Sequence, residues 1–308
     1  MSEPEKMQMN AGAQICDRKG NPLTDSCASQ GKMLELLYGT APGRALLKLL
    51  TKPIVSQIAG AALDHPLSTV AIPPFVHLKH IKMDDFAEDH FESFNAFFTR
   101  PIKPEARPVD RQPDALIAPC DAKLTVLPID AQTHFNVKGA DYSLSAFLGC
   151  KKLAKRYLGG QVLIFRLTPD DYHRYCYPDD CEISKTRVIP GELHTVNPVA
   201  AAHGVRVYHR NARAVTMLHT RHFGTVLQIE VGAMFVGKIV NHPHGAAVVR
   251  GIEKGYFEFG GSTVVLVLEA GAAEIDAQIR KNSENGAETV VRYGSRIGTA
   301  KRGLVMRG

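Results

Sequence analysis

The stretch FEFGGSTVVLVLE, residues 257–269, sets the reading of the fold. Val264–Leu268 are five consecutive aliphatic residues, and two glycines and a serine stand directly before them. A short apolar run bounded by glycine is the pattern of a strand buried on both faces. Similar runs recur: QVLIFRL (161–167), AVTMLHT (214–220), VLQIEVG (226–232) and TVVRYG (289–294). Together they predict a glycine-rich mixed β-sandwich or barrel-like core. The junction also has a chemical reading. Glycine lets the backbone take conformations closed to other residues and lets another group come close. A serine hydroxyl can attack the carbonyl just before it, given a nearby base and donors for the oxyanion. By itself GGS is far more often a turn or a bulge.

Upstream the texture changes. From about residue 31 to residue 100 the pattern is helical. Leu34 and Leu37, then Leu46, Leu47, Leu50, Ile54 and Ile58, fall at spacings of three and four, with Lys48 and Lys52 on the other face. Pro53 divides the second run into two short helices, and FESFNAFF (91–98) reads as a further one. This segment predicts a helical subdomain that packs on the core and presents a basic amphipathic face to a membrane. Residues 1–30 form a polar extension, and 101–119, with five prolines, an extended connector into a catalytic region at 101–308. The chain is thus expected to be α+β, helices first.

Composition narrows the function. An apolar fraction of 44% and a charged fraction of 22% are those of a folded globular protein. The net charge of +6 favours anionic partners. The bases are scattered, without the motifs or basic stripe of a nucleic-acid binder, so no nucleic acid is expected as partner. The first twenty residues lack the apolar core of a signal peptide, and no stretch of about 18 uncharged apolar residues offers a membrane span. Six cysteines at irregular spacings read as free thiols, and Cys176 with Cys181 lacks the second pair that a closed zinc site needs, so no metal is expected.

Two further constellations carry titratable groups. TPDDYHRYCYPDD (168–180) places His173 and Cys176 just after an apolar strand, as an active-site edge does. IAPCDAKLTV (117–126) holds a lone Asp121 between apolar flanks. With SFNAFFTRPIKPEARPV (93–109), VKGADYSLSAFLG (137–149), HTVNPVA (194–200), NARAV (211–215), FGTVLQIEVGAMFVGKIV (223–240), KGYFEFGGSTVVLVLE (254–269) and YGSRIG (293–298), these segments resemble, in order and spacing, the phosphatidylserine decarboxylases of bacterial type. The resemblance covers residues 15–298.

The resemblance implies self-cleavage between Gly261 and Ser262, giving a β chain of residues 1–261 and an α chain of residues 262–308. Ser262 becomes a pyruvoyl group, a covalent ketone cofactor able to take up the electrons left by departing CO₂. It implies phosphatidylserine as substrate, phosphatidylethanolamine as product, a peripheral location on the cytoplasmic face of an anionic membrane, and a homodimer of α/β heterodimers. Asp121 matches the aspartate that orients the cleavage base, and His173 the first histidine of the YHRxH pattern, placed at the substrate. The second histidine, the usual cleavage base, is here Cys176. A thiol with an ordinary pKa near 8.5 is a poorer base at neutrality than an imidazole near 6.5. His173 is one substitute base and His194 the other, since His194 stands where the family commonly has an aromatic residue. Two alternatives accompany this reading: a pyruvoyl decarboxylase of a soluble amino acid, and an unprocessed, non-catalytic lipid-binding relative.

Overall fold

The computed structural model describes residues 14–24, 28–137, 140–234, 238–260 and 262–301. Most of the polar extension, and Gly261 on one side of the expected cleavage point, lie outside the described residues.

The helical segment forms as its spacing dictates. Helices run Ala28–Gly39, Ala41–Leu50, Pro53–Asp64 and Ile72–Lys79, with a single turn at Phe94–Phe98. Thr40 caps the second, its hydroxyl accepting from the Gly43 N–H at 3.1 Å. Pro53 starts the third; a residue before proline is pushed to extended backbone, and Lys52 has ψ 134°. This break bends the two helices by 69°, and among the described residues no single helix is long and apolar enough to cross a membrane. Leu34, Tyr38 and Leu47 are buried in the main core. Met33, Leu36, Leu46, Leu49, Ile54 and Ile58 point outward, each between 47% and 65% exposed. The four phenylalanines of 91–98 gather with Phe75 and Phe259 in a separate aromatic cluster.

The apolar runs assemble into one large sheet of eleven strands. Its order is 247–248, 181–183, 213–220, 225–231, 262–268, 161–167, 122–128, 288–291, 15–16, 22–23, with 187–189 also paired to 213–220. Ile15–Cys16 pairs parallel with Glu288–Val291 and the other pairs are antiparallel, so the sheet is mixed. The barrel-like expectation is corrected here. Closure requires the two edge strands to bond each other, and these edges are two-residue strands at opposite ends of the order. The α+β class stands.

Ser262–Leu268 lies mid-sheet between Thr225–Val231 and Gln161–Leu167, in the registers Val231↔Thr263 and Ser262↔Leu167. All seven of its residues are buried, which is why the run has no polar alternation. Its Ser262, Val264 and Leu266 face shares a core with Tyr175 and Phe257 of a three-stranded sheet formed by Ile239–Asn241, Glu253–Phe257 and Arg174–Cys176. There Gly255 is required: a Cβ on it would stand 1.9 Å from the Val240 carbonyl oxygen. The proline-rich connector is largely irregular, with a short turn at Pro104–Ala106 and a strand at Ala115–Ile117.

Candidate active site

Around the junction, Gly260 has φ 140°, a conformation that side-chain-bearing residues rarely adopt. Two residues on, Ser262 opens its strand fully buried, and its Oγ has no hydrogen-bond partner among the described residues. A buried hydroxyl without a partner is rare and calls for an explanation.

A second such atom lies in the YHR segment. The strand Gln161–Leu167 ends in a turn at Thr168–Asp171 and the chain continues into Arg174–Cys176. His173, between them, is fully buried. Its Nδ1 lies 2.8 Å from the Asp171 carbonyl oxygen. A carbonyl only accepts, so Nδ1 carries the proton and Nε2 presents a lone pair. Nε2 has no partner among the described residues. Burial draws the imidazole pKa down to about 4, against the opposing pull of Asp171. His173 is therefore neutral near pH 7, with a bare, unengaged nitrogen.

The aromatic cluster joins the two segments that carry these atoms. The ring of His173 packs 4.1 Å from that of Phe98, and Phe98 packs 5.0 Å from Phe259, three residues before Ser262. The Phe257 N–H donates to the His173 carbonyl at 3.0 Å. Phe259 and Gly260 also wall an apolar cavity of about 420 Å³, lined as well by Leu37, Leu46 and Leu50 of the exposed helices. The junction thus opens toward the segment with the outward-facing leucines.

Cys176, three residues after His173, ends the strand Arg174–Cys176, opposite Glu253. Its thiol is buried and hydrogen bonded to the Tyr293 hydroxyl. That hydroxyl also donates to the Gly251 carbonyl at 3.0 Å, and its bond to the sulfur pulls the thiol pKa down against burial. Burial pushes the thiol pKa up to about 12. Asp121 accepts the Tyr293 N–H at 2.8 Å and is held by the Arg107 guanidinium, with Nη2 to Oδ2 at 2.6 Å. Asp121 and Cys176 are thereby linked through Tyr293. Arg107, the carboxylate's cationic partner, was not singled out in the sequence, although it stands in the quoted segment 93–109.

His194 is occupied elsewhere. Its Nε2 is 2.9 Å from Glu192 and its Nδ1 3.3 Å from the Tyr38 hydroxyl, and it lines a separate cavity of about 210 Å³ with Arg44 and His203. Lys123 and Arg100 also went unremarked in the sequence. Arg100 is 3% exposed, stacked between Phe86 and Phe97, and burial lowers its pKa to about 10. Cys176 and Cys181 are free thiols in different sheets.

This constellation matches known proteins over most of the chain. The family model described as phosphatidylserine decarboxylase matches residues 94–299. Phosphatidylserine decarboxylase proenzyme 2 of Clostridium acetobutylicum is 41% identical over 266 residues, covering 86% of this chain and 91% of that protein. The phosphatidylserine decarboxylase proenzymes of Ruminiclostridium cellulolyticum and Chlamydia felis are 39% and 37% identical, each over 92% of this chain and 97% of their own length. On a match that spans the aromatic cluster, the histidine turn and the junction alike, this chain belongs to the phosphatidylserine decarboxylase family.

Proposed function

We propose that this chain cleaves itself between Gly261 and Ser262 with His173 as the base, and that the matured enzyme decarboxylates phosphatidylserine to phosphatidylethanolamine at a membrane surface. One observation carries the reading: Ser262 Oγ and His173 Nε2 are both buried without hydrogen-bond partners among the described residues, and Phe98 packs against both the His173 ring and Phe259, three residues before Ser262. An unprotonated imidazole nitrogen can take the serine proton at neutral pH. The oxygen then adds to the Gly261 carbonyl carbon, and the amide becomes an ester. Elimination of the Gly261 carboxylate, followed by addition of water and loss of ammonia, leaves a pyruvoyl cap on residue 262. A buried thiol raised to about 12 is a poor candidate for that proton transfer.

The site fits the pyruvoyl group, since the only polar side-chain atom that Ser262 contributes is unengaged among the described residues and would be consumed in forming it. That group, once formed, supplies a conjugated carbonyl as electron sink for decarboxylation. The wholly buried strand that begins at residue 262 keeps water from it, while His173 can hold or deliver a proton from Nε2. The cavity between Gly260 and Leu46 supports a lipid over a soluble amino acid, because its wall is predominantly hydrocarbon. Outward-facing Leu46, Leu49, Ile54 and Ile58 next to Lys48 and Lys52 support contact with an anionic membrane. The family resemblance adds a homodimer of cleaved heterodimers to this reading.

Intact-mass measurement of the purified chain, with decarboxylation assays on phosphatidylserine vesicles and on free amino acids, tests it. A chain that stays whole on long incubation points to a non-catalytic lipid-binding relative. Turnover of free serine but not of the lipid points to a soluble-substrate decarboxylase.

A further inference from the structure

We propose that Lys123, acting through Thr168 and Asp171, is a positioning residue that sets the tautomer and aim of His173. The proposal rests on the reading of His173 as cleavage base.

Lys123 lies on the strand Ala122–Pro128, with Arg166 directly across in the sheet. Arg166 is engaged by Glu288, which leaves Lys123 to find another anion. Its Nζ donates to both carboxylate oxygens of Asp171, at 2.8 and 2.7 Å, and to the Thr168 hydroxyl at 2.5 Å. The Thr168 hydroxyl in turn donates to Asp171 Oδ2 at 2.8 Å, and the Thr168 N–H to the same oxygen at 2.6 Å. The Asp171 N–H returns to the Thr168 carbonyl at 2.8 Å. The Thr168 hydroxyl and both Asp171 carboxylate oxygens, which hold the turn together, are thus tied to one buried ammonium. The remaining polar group of Asp171, its carbonyl, is the acceptor for His173 Nδ1. The clamp therefore ends on the hydrogen bond that keeps Nε2 bare.

A buried lysine needs a compelling reason to stay charged. Burial works against the Lys123 ammonium, but the carboxylates of Asp171 and Asp170 outweigh it and hold its pKa above the ordinary value. The charged groups that act on His173 are Asp171, Asp170 and Arg100. An ion pair kept only for stability could sit anywhere in the sheet; this one stands on the two residues that fix the histidine's acceptor.

The test uses the full chain. Lys123→Met and the nearly isosteric Thr168→Val are followed by cleavage rate, with thermal unfolding as a folding control. In a parallel Ser262→Ala background, which keeps the chain whole, ¹⁵N spectra of His173 read the tautomer directly. The proposal expects folded Lys123→Met to cleave between about tenfold and about a hundredfold more slowly, as a misaimed base does. Thr168→Val should lose less, and both should show His173 in mixed tautomers. If Lys123→Met does not fold, Thr168→Val alone decides. Folded variants that cleave at the unmodified rate, or cleave slowly with the proton still wholly on Nδ1, overturn the proposal. His173→Gln separates the two ideas. If it cleaves normally, the base assignment itself falls; if it is slow while the clamp variants are normal, only the clamp falls.

Discussion

The pH dependence of self-cleavage separates the two side chains that compete for the role of base. His173 has its pKa drawn down to about 4, so between pH 6 and pH 8 its unprotonated fraction changes by only ~1%. A His173-driven cleavage is therefore flat across that range. Cys176 is pushed to about 12, so its thiolate fraction is ~10⁻⁶ at pH 6 and ~10⁻⁴ at pH 8. Cleavage through the thiolate would rise about a hundredfold, and at pH 7 forming the thiolate would cost about 7 kcal/mol before any chemistry. The assay is direct. Freshly translated full chain is moved into buffers at constant ionic strength, and the appearance of the residues 262–308 fragment is followed by gel and mass spectrometry. The expected result is a plateau from pH 6 to 8. His173→Gln should lower the plateau by about a hundredfold or more, the usual worth of a positioned base. A log-linear rise of one decade per pH unit, abolished in Cys176→Ala, would refute the reasoning.

Other outcomes follow from the same structure. Cys176→His should give no acceleration of cleavage, and a faster chain would return the base role to position 176. The stability of Ser262→Ala precursor should fall as pH drops from about 6.5 to about 4. In that window the unfolded chain binds a proton that folded His173 does not, for a total near 3 kcal/mol, absent in His173→Gln and read by urea unfolding. Lys254→Met strands the fully buried Glu230, whose carboxylate the ammonium holds at 2.9 Å; a loss of about 3–5 kcal/mol is expected, with Lys254→Met/Glu230→Gln losing less in the same assay. Leu46→Asp with Leu49→Asp should abolish flotation with anionic vesicles while leaving self-cleavage intact; unchanged flotation would remove these helices from the membrane contact.

Much of this molecule was legible from local pattern. The split at Pro53 and the strands at 161–167, 226–232 and 262–269 stand within a residue or two of their expected bounds, because burial on both faces leaves an unmistakable apolar run. What pattern does not carry is pairing at distance. Nothing local says that Arg107 rather than a histidine will hold Asp121, that Lys123 will reach Asp171, or that Tyr293 will stand against Cys176. His194 shows the same limit: its position made it a substitute base, but Glu192 and Tyr38 engage both of its ring nitrogens. An open sheet cannot be told from a barrel by its strands alone, since closure is decided at the two edges.

The central place of Ser262–Leu268 has a consequence for the life of the enzyme after it is cut. The new chain would begin on a strand hydrogen bonded on both sides, and would also contribute the strands 288–291, to the large sheet, and 296–300, paired with Ala115–Ile117. Severing the backbone there removes a tether without opening a seam. The two pieces should co-purify, resist separation by dilution, and part only when the sheet itself comes down. Once parted they could not re-create the covalent chain that first guided them together, so such an enzyme would live on its unfolding rate rather than on an equilibrium. Maturation would leave each molecule with a single folding history.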